Sequence, residues 1–354
     1  MLKYYLLLLL FPITAYCNES WIPFSSFETT LLSEPVSLKS LNNEWKNGNF
    51  REGEQQYGDV WIESGMKKGQ WGVSALYRQR KQLDFSKDTA ELYNIIENTH
   101  DLALGKTYQV DLSTQQFSTL GVRGTYSLRP HSRVSLELGA SVFKASQLMS
   151  GSMLGTARSL SNHDYDYNVD VNYLYDKDVL FDRPNVNKPS GKGYSIGLAG
   201  HWQVTSRINA SIKVKDALAA IYWKDIPYTE ANVTSSTKVV GSDGFIKVRA
   251  DLQGQESYRK KFKQSIAASG NTQLSYKTSD SQVLLVDIKY FGDNAYMGIG
   301  GERKFNNSNF STLYYPDLKT LSLSYQHKKM TFKFATDNLN LGKANTLWLG
   351  VGYN

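Results

Sequence analysis

Strict alternation of polar and apolar residues over 162–175 is the feature that most constrains this chain. The odd-numbered positions from His163 to Tyr175 carry only His, Tyr or Val, and the even-numbered positions from Asn162 to Asn172 carry only Asn or Asp. Successive side chains of a β-strand point to opposite faces, whereas a helix would scatter these residues around its circumference. The segment is therefore predicted to be a strand with one apolar and one polar face.

The same period of two recurs from about residue 55 to the end of the chain. Clear examples are 134–142, 207–215 and 347–353. Short breaks such as 67–69 and 327–329 separate some of these strands, and longer polar connections are predicted at 84–106, 147–160, 177–192, 216–244 and 306–316. The strands have roughly 9–15 residues, and a tilted strand needs about 9–11 to cross a bilayer.

These strands predict an all-β fold, an antiparallel transmembrane β-barrel of about 12 strands with a range of roughly 10 to 14. Lipid offers no hydrogen bonds, so every strand edge has to be paired, and a closed barrel achieves this. One short helix is predicted in a long loop. It would begin at the capping-box pattern Asp88 to Glu91, and Leu92, Ile95 and Ile96 follow at helical spacing. Such a helix could lie outside the barrel or fold into its lumen.

Composition excludes several other classes. The chain has 354 residues, one Cys and a formal net charge of +7. Its apolar runs are shorter than the ~18 residues of a spanning helix, which excludes a helical membrane protein, and a single Cys excludes a disulfide scaffold. Because the sequence also lacks a Lys/Arg block, we expect no nucleic-acid partner.

The first residues predict export. Lys3 precedes an apolar stretch over 4–13, and Ala15 and Cys17 place small residues at −3 and −1 of a cleavage site. Residues 1–17 are therefore predicted to be a signal peptide, with lipidation of Cys17 as the alternative. We assign 18–54, which alternates poorly, to an N-terminal segment that plugs or caps the barrel, and 55–354 to the barrel itself.

Two features favour a membrane barrel over a soluble periplasmic or secreted β-protein, which would hide its apolar face in a core. Loops alternate between short and long, and aromatic residues lie near predicted strand ends, as in interface girdles. These aromatic residues are Tyr165, Tyr173, Tyr175, Tyr314, Tyr315, Trp348 and Tyr353.

The last predicted strand, Thr346 to Tyr353, alternates and is rich in Gly and aromatic residues. It resembles the C-terminal assembly signal of Gram-negative outer-membrane β-barrels, although Asn354 stands where Phe or Trp usually ends that signal. The resemblance implies a place in the outer membrane. It also implies contact with outer-membrane lipid and lipopolysaccharide and handling by the barrel-assembly machinery.

Charged residues on the polar faces are the predicted pore-lining residues. The basic ones are Lys213, Lys215, Arg249, Arg259, Lys261 and Lys263, and the acidic ones are Asp164, Asp166 and Asp170. Facing each other across a narrow lumen, the two sets would favour polar or anionic solutes. In the alternative, these charges pair with one another and fill a closed lumen.

The sequence thus predicts a channel for small polar or anionic solutes. The alternative is a non-conducting outer-membrane component of a secretion, pilus or polysaccharide-export machine, bound to an envelope partner. An enzyme is not expected, because the five His residues are scattered and catalytic motifs are missing. The least favoured hypothesis is a barrel enzyme that acts on lipids or proteins at the cell surface. No cofactor or metal is predicted.

Overall fold

A computed structural model describes residues 21–46, 48–235, 239–240, 246–247, 251–292 and 294–353. The predicted signal peptide 1–17 lies outside the described residues. So does Arg249.

Strands make up almost all of the regular structure. They are β1 (Ile22–Ser33), β2 (Gln55–Lys68), β3 (Trp71–Phe85), β4 (Thr107–His131), β5 (Val134–Ser161), β6 (Asp164–Tyr175), β7 (Ser190–Gln203), β8 (Ile208–Thr234), β9 (Val239–Val240), β10 (Ile246–Lys247), β11 (Asp251–Ser265), β12 (Ser269–Lys277), β13 (Gln282–Phe291), β14 (Asn294–Phe305), β15 (Ser308–Tyr315), β16 (Thr320–His327), β17 (Met330–Thr336) and β18 (Thr346–Tyr353). The helices are α1 (Leu38–Leu41) and α2 (Lys87–Asn98).

The strands close into an antiparallel barrel of 14 strands. β18 pairs with β1, from Ser25 opposite Tyr353 to Leu32 opposite Thr346, so the sheet has no open edge at this level. The prediction of an antiparallel β-barrel is confirmed, and the predicted number of about 12 strands is too low.

Two further strands, β6 and β11, extend the wall beyond the barrel. β6 continues the line of β7, since both pair with β5 on one side and β8 on the other. β11 likewise continues the line of β12 along β8. Together with the halves of β4, β5 and β8 that lie beside them, these strands form a part of the wall that we call the extension.

The two ends of the barrel differ in their connections. At the end where β1 begins and β18 ends, which we call the short-turn end, the turns are 69–70, 132–133, 204–207, 278–281, 306–307 and 328–329. The opposite, long-loop end carries α1, α2 and the extension. It also carries the connection between β6 and β7 over 176–189.

Three segments that were predicted to be connections form strands. Residues 147–160 belong to β5, 306–316 contain β15, and 216–234 continue β8. Within the predicted plug 18–54, β1 is part of the barrel wall, and only 34–54 pack over the interior at the long-loop end. In β15, Leu313 and Tyr315 face a packed apolar interior, so both faces are apolar and the alternation is lost.

The predicted helix is confirmed as α2. Its N-cap is Ser86, whose side chain accepts a hydrogen bond from the Thr89 N–H, rather than a residue of the predicted capping box. Leu92 is buried in a cluster with Tyr108, Val171 and Tyr175 from the extension. α2 therefore closes part of the interior at the long-loop end.

The barrel proper is apolar outside, and its interior is polar toward the short-turn end and packed with apolar side chains toward the long-loop end. Its exposed outer side chains form an apolar band that includes Val73, Leu120, Val122, Leu138, Val142, Leu218, Leu284, Met297, Ile299 and Leu321. Monomeric soluble proteins rarely expose continuous apolar surfaces of this kind.

In the extension the polarity is inverted. The outer face carries Asn168, Asp170 and Asn172, and Asn232 on β8 donates hydrogen bonds to the first two at 2.8 and 2.9 Å. The inner face carries the buried Tyr173 and Tyr175.

The predicted aromatic girdle is therefore wrong for most of its members. Tyr173 and Tyr175 lie inside the extension, and Tyr315 and Trp348 lie inside the barrel, where their rings pack edge to face at 4.9 Å. Tyr314 is exposed on the outer face. Period two separates the two faces of a strand, but it does not show which face is the inner one.

Replacing Leu92 should loosen α2. Leu92→Ala removes a buried side chain, so the free energy that holds α2 against the wall should fall by about 2–5 kcal/mol. The matched control is Ile96→Ala on the exposed side of the same helix, expected to change it by no more than about 0.5 kcal/mol. Amide hydrogen exchange over 87–98 measures both. Equal protection in the two variants would contradict the packing of α2 described above.

Candidate functional site

A chamber of about 300 Å³ lies in the half of the barrel nearest the short-turn end, and we call it the vestibule. Its lining runs from Phe24, Lys67 and Gly352 near that end to Trp61 and Asp216 deeper in the barrel. The charged lining residues are Glu28, Glu63, Lys67, Arg123, Glu137, Lys213, Lys215, Asp216 and Lys333. A polar chamber of this kind suits small hydrophilic solutes better than apolar ones.

Ion pairs join most of these charges. Lys213 and Lys215 on β8 both bond Glu28 on β1, at 2.7 and 2.6 Å. Lys67 bonds Glu137 at 2.9 Å, and Arg123 lies 3.5 Å from Glu63.

Lys333 on β17 differs from its neighbours. It lines the vestibule and adds positive charge near Glu28, yet among the described residues it has no carboxylate within 4.0 Å. Three lysines thus surround the single carboxylate of Glu28. This part of the wall therefore carries an excess of positive charge.

Deeper in the barrel, four buried charges cross the lumen. We call Asp59 on β2, Arg78 and Arg80 on β3, and Asp216 on β8 the charge layer. The Nε atoms of Arg78 and Arg80 lie 3.2 and 3.0 Å from Asp59 Oδ1, and Arg78 Nη1 lies 2.5 Å from Asp216 Oδ2. All four side chains are at most 9% exposed, and their formal charges cancel.

Further hydrogen bonds tie the charge layer to the facing wall. Arg80 donates through Nη1 to the Ala267 carbonyl at 2.7 Å and through Nη2 to Ser269 Oγ at 2.8 Å, at the break between β11 and β12. Ser195 Oγ donates to Asp216 Oδ1 at 2.7 Å. The layer therefore spans the interior from β2 and β3 to β7, β8 and β12.

A β-bulge places Asp216 in this layer. Its φ is +58°, and the register between β7 and β8 shifts between Ile196 and Leu198. Between Val214 and Leu218, β8 has two more residues than the facing segment of β7 from Ile196 to Leu198. Such a bulge redirects side chains, and Asp tolerates positive φ better than most residues. The carboxylate of Asp216 consequently points inward directly after the inward-facing Lys215.

Aromatic rings enclose the arginines of the layer. The Arg78 guanidinium lies 5.5 Å from the Trp61 ring on the vestibule side and 5.4 Å from the Phe117 ring. Arg80 lies 5.4 Å from the Tyr57 ring. Cation–π contacts of this kind are stronger where water is excluded.

Beyond the layer, apolar clusters fill the interior of the described chain. One contains Phe117, Leu148, Ile221, Trp223 and Ile266, and another contains Tyr57, Phe291 and Tyr296. Within the described ranges, the vestibule thus ends at the charge layer and at Trp61.

Two of the nine predicted pore-lining residues, Lys213 and Lys215, lie in the vestibule wall. The others with described positions lie outside the lumen. Arg259 pairs with Glu230 at 3.2 Å on the outer face of the extension, and Lys261 and Lys263 share the outer face of β11.

The three predicted acidic residues lie on β6 in the extension, on the side opposite its buried tyrosines. Asp170 accepts from Asn232, and Asp166 accepts from Ser235 Oγ at 3.2 Å. The predicted basic and acidic walls therefore do not face each other across a pore. The interpretation failed because it assumed that every polar face points inward, which does not hold beyond the apolar band.

The residues of the charge layer were missed, although the sequence contains a signal for them. Arg78 and Arg80 are two positions apart in β3, as are Asp59, Trp61 and Glu63 in β2. Charges at alternate positions of an otherwise apolar strand mark its inner face. The ion pair between Arg78 and Asp216 across the lumen could not be predicted from the sequence, because it depends on the bulge at Asp216.

Other kinds of site find little support. In the described part of the chain there is no group of three or more His, Cys, Asp or Glu side chains able to hold a metal ion. Ser308 Oγ lies 2.8 Å from His327 Nδ1, but this pair is at the short-turn end and does not line the vestibule. None of the described helices has the length and apolar character to cross a membrane.

No protein-family model matches the chain, and no curated protein matches it. Among solved structures, the CymD monoaromatic hydrocarbon channel is 10% identical, with a TM-score of 0.44 over 93% of this chain and 86% of its own. The TodX deltaS2S3 mutant monoaromatic hydrocarbon channel is 10% identical, with a TM-score of 0.44 over 95% and 89%.

The outer membrane protease OmpT from Escherichia coli is 9% identical, with a TM-score of 0.25 over 95% of this chain and 98% of its own. These neighbours are outer-membrane β-barrels. At such values the similarity is restricted to barrel architecture.

Removing one charge from the layer should destabilise the barrel strongly. Asp216→Asn leaves Arg78 buried with only Asp59 as a counter-charge, so we expect a loss of roughly 3–5 kcal/mol in the free energy of unfolding. Glu137→Gln breaks the Lys67–Glu137 pair, whose side chains are 40% and 27% exposed, and should cost less than about 1 kcal/mol. Urea unfolding of the refolded barrel in detergent gives both values. Similar losses in the two variants would show that the layer is not a buried ion-pair network.

Proposed function

We propose that this protein is an outer-membrane β-barrel that admits small anionic solutes to its vestibule and passes them only when the charge layer and the apolar packing behind it open. The observation that carries the proposal is a charged chamber that ends at a layer of four paired charges, with packed apolar clusters behind that layer. A wide, permanently open pore is not compatible with that layer.

The outer apolar band supports the membrane location. Its side chains face outward in the barrel wall, while the outer face of the extension is mainly polar and charged, with Asn168, Asp170 and Asn172 on β6 and the Arg259–Glu230 pair beside them. A wall that is apolar at the level of the barrel and polar in the extension is typical of a protein that spans a bilayer and projects one segment into water. The long-loop end then faces the outside of the cell, and the vestibule opens toward the periplasm.

The wall around Glu28 supports a preference for anions. Lys213, Lys215 and Lys333 bring three positive charges to one carboxylate. A small anion near Lys333 would gain a Coulombic interaction without having to separate an existing ion pair. The proposed solute class is therefore small and anionic, within the polar or anionic class that the sequence predicted; Lys213 and Lys215 were among the predicted residues, and Lys333 was not.

A second candidate function also has an observation in its favour. The interior beyond the layer is packed with aromatic side chains, α2 and the segment 34–54. Such packing suits a non-conducting barrel that serves as the outer-membrane component of a secretion, pilus or polysaccharide-export machine.

Conductance in planar bilayers distinguishes the two functions. Wild-type protein should show only rare, small openings. Arg78→Ser combined with Asp216→Ser removes one charge of each sign and shortens two side chains, so the open probability should rise by at least about tenfold, since the barrier of paired charges is reduced. The control, Lys67→Ser with Glu137→Ser, removes a pair from the vestibule wall and should leave the barrel closed.

All variants have to show the gel shift between unboiled and boiled samples that marks a folded barrel. A wild-type protein that conducts steadily would refute closure by the charge layer. Silence of every folded variant would refute the gated channel and favour the non-conducting component.

Lys333 should contribute to ion selectivity. In the opened Arg78→Ser/Asp216→Ser background, the reversal potential in a salt gradient should indicate a preference for anions. Adding Lys333→Gln removes the positive charge that has no close partner, so the reversal potential should shift toward zero. Adding Lys329→Gln in the turn between β16 and β17 is the control and should leave the potential unchanged. Identical potentials in all three proteins would argue against an anion site at Lys333.

A further inference from the structure

Five lysines form a patch on the outer face of the wall at the long-loop end. They are Lys144 on β5, Lys192 on β7, Lys224 on β8, and Lys261 and Lys263 on β11. We call them the lysine patch. All five are exposed, and they lie on the face that points away from the buried Ile221 and Trp223.

Strand pairing makes this patch continuous. Lys144 lies directly opposite Lys192, and Lys224 lies directly opposite Lys261. Tyr222 pairs with both Lys192 and Lys263 and so joins the two halves. Directly opposed residues have Cβ atoms about 4.5–5.5 Å apart, so the ammonium groups share one small area.

Like charges placed directly opposite each other destabilise a sheet. Among the described residues, none of the five lysines has a carboxylate within 4.0 Å, and the nearby Glu230 is held by Arg259 at 3.2 Å. The protein therefore concentrates positive charge here without neutralising it. An external anion would relieve the repulsion.

The patch lies at the border of the apolar band. Next to it on the same face, toward the short-turn end, follow Val142, Ile196 and Leu218, which are 61%, 41% and 57% exposed. The rings of Tyr194 and Tyr222 stack at 6.5 Å at this border. In the other direction, the outer face carries Asn172 and Arg259, which both donate hydrogen bonds to Glu230. This is the level at which lipid headgroups meet a membrane-spanning wall.

We propose that the lysine patch binds the phosphate groups of a phosphorylated glycolipid in the outer leaflet, with its acyl chains lying along Val142, Ile196 and Leu218. The proposal rests on the outer-membrane location proposed above. The adjoining apolar surface favours a lipid over a soluble acidic partner, because the latter would leave that surface uncovered. The patch is on the outside of the barrel and is separate from the vestibule.

The test compares two triple variants of the full chain in detergent. Lys192→Gln/Lys224→Gln/Lys261→Gln neutralises the centre of the patch. Lys68→Gln/Lys328→Gln/Lys329→Gln removes the same charge from turns at the opposite end of the barrel. The probes are bis-phosphorylated lipid A and its dephosphorylated form, titrated by native mass spectrometry, and the gel shift on boiling verifies that each protein is folded.

Wild type and the turn variant should bind bis-phosphorylated lipid A equally, and the patch variant should bind it at least about tenfold more weakly. Dephosphorylated lipid A should bind all three proteins weakly and alike. If the patch variant does not fold, wild type still provides a test, since added salt should weaken its binding of the phosphorylated form only.

Equal binding of bis-phosphorylated lipid A by the patch and turn variants would overturn the proposal. So would equal affinity of wild type for both lipids. Neither result would bear on the charge layer. Conversely, a barrel that never conducts could still bind the glycolipid, so the failure of one proposal is distinguishable from the failure of the other.

Discussion

Closure of the backbone hydrogen bonds between β1 and β18 is the constraint on which the rest of this structure depends. An unpaired N–H or C=O group in hydrocarbon costs several kcal/mol, so a row of them along an open edge would be prohibitive. The seam joins Ser25 to Tyr353 and Leu32 to Thr346, residues from opposite ends of the chain. The wall is therefore complete only when both ends are in place, and contacts of such high sequence separation form slowly.

Once the wall is closed, the level along the barrel axis decides which residues face outward. At the level of the apolar band, the lumen is the hydrophilic side, so Glu28, Lys213 and Lys215 can point inward. In the extension, the outer face of β6 is polar, and the buried tyrosines of β6 pack inward against α2 instead. One strand can carry both arrangements, as β8 does with a bulge at Asp216 between Lys215 and Trp223.

The inversion of polarity between the barrel and the extension explains how much of the fold could be predicted from the sequence. Alternation in 134–142, 207–215 and 346–353 was sufficient to predict an antiparallel barrel, and the helical spacing of Leu92 and Ile95 was sufficient for α2. β15 was missed because its inner face meets packed aromatic residues, and β1 because Ser and Thr occur on both of its faces, so the polar-to-apolar contrast is lost in both strands. The aspartates of β6 were assigned to the lumen because alternation does not show whether the polar face of a strand points inward or outward.

The vestibule was harder to predict for a different reason. Lys213 and Lys215 were identified from their alternation with Ile212 and Val214, but their partner Glu28 lies 185 and 187 positions away in sequence. Asp216 breaks the alternation of β8. In a sequence it resembles the end of a strand, yet in the structure it is the bulged residue that brings a carboxylate to Arg78.

Sealing a lumen with ion pairs has a consequence that an apolar seal would not share. Apolar side chains exclude water, and a constriction of them stays closed by dewetting. The charges of the layer are stabilised by one another only while they stay dry, because hydration competes with each pair as soon as water reaches it. Trp61 and Asp216 line the vestibule and Trp61 covers Arg78, so a small displacement of Trp61 would open Arg78 to the vestibule. The free energies of the closed and the hydrated layer differ by two large, opposing contributions, the attraction between the paired charges and their hydration. A layer balanced in this way can both close and open.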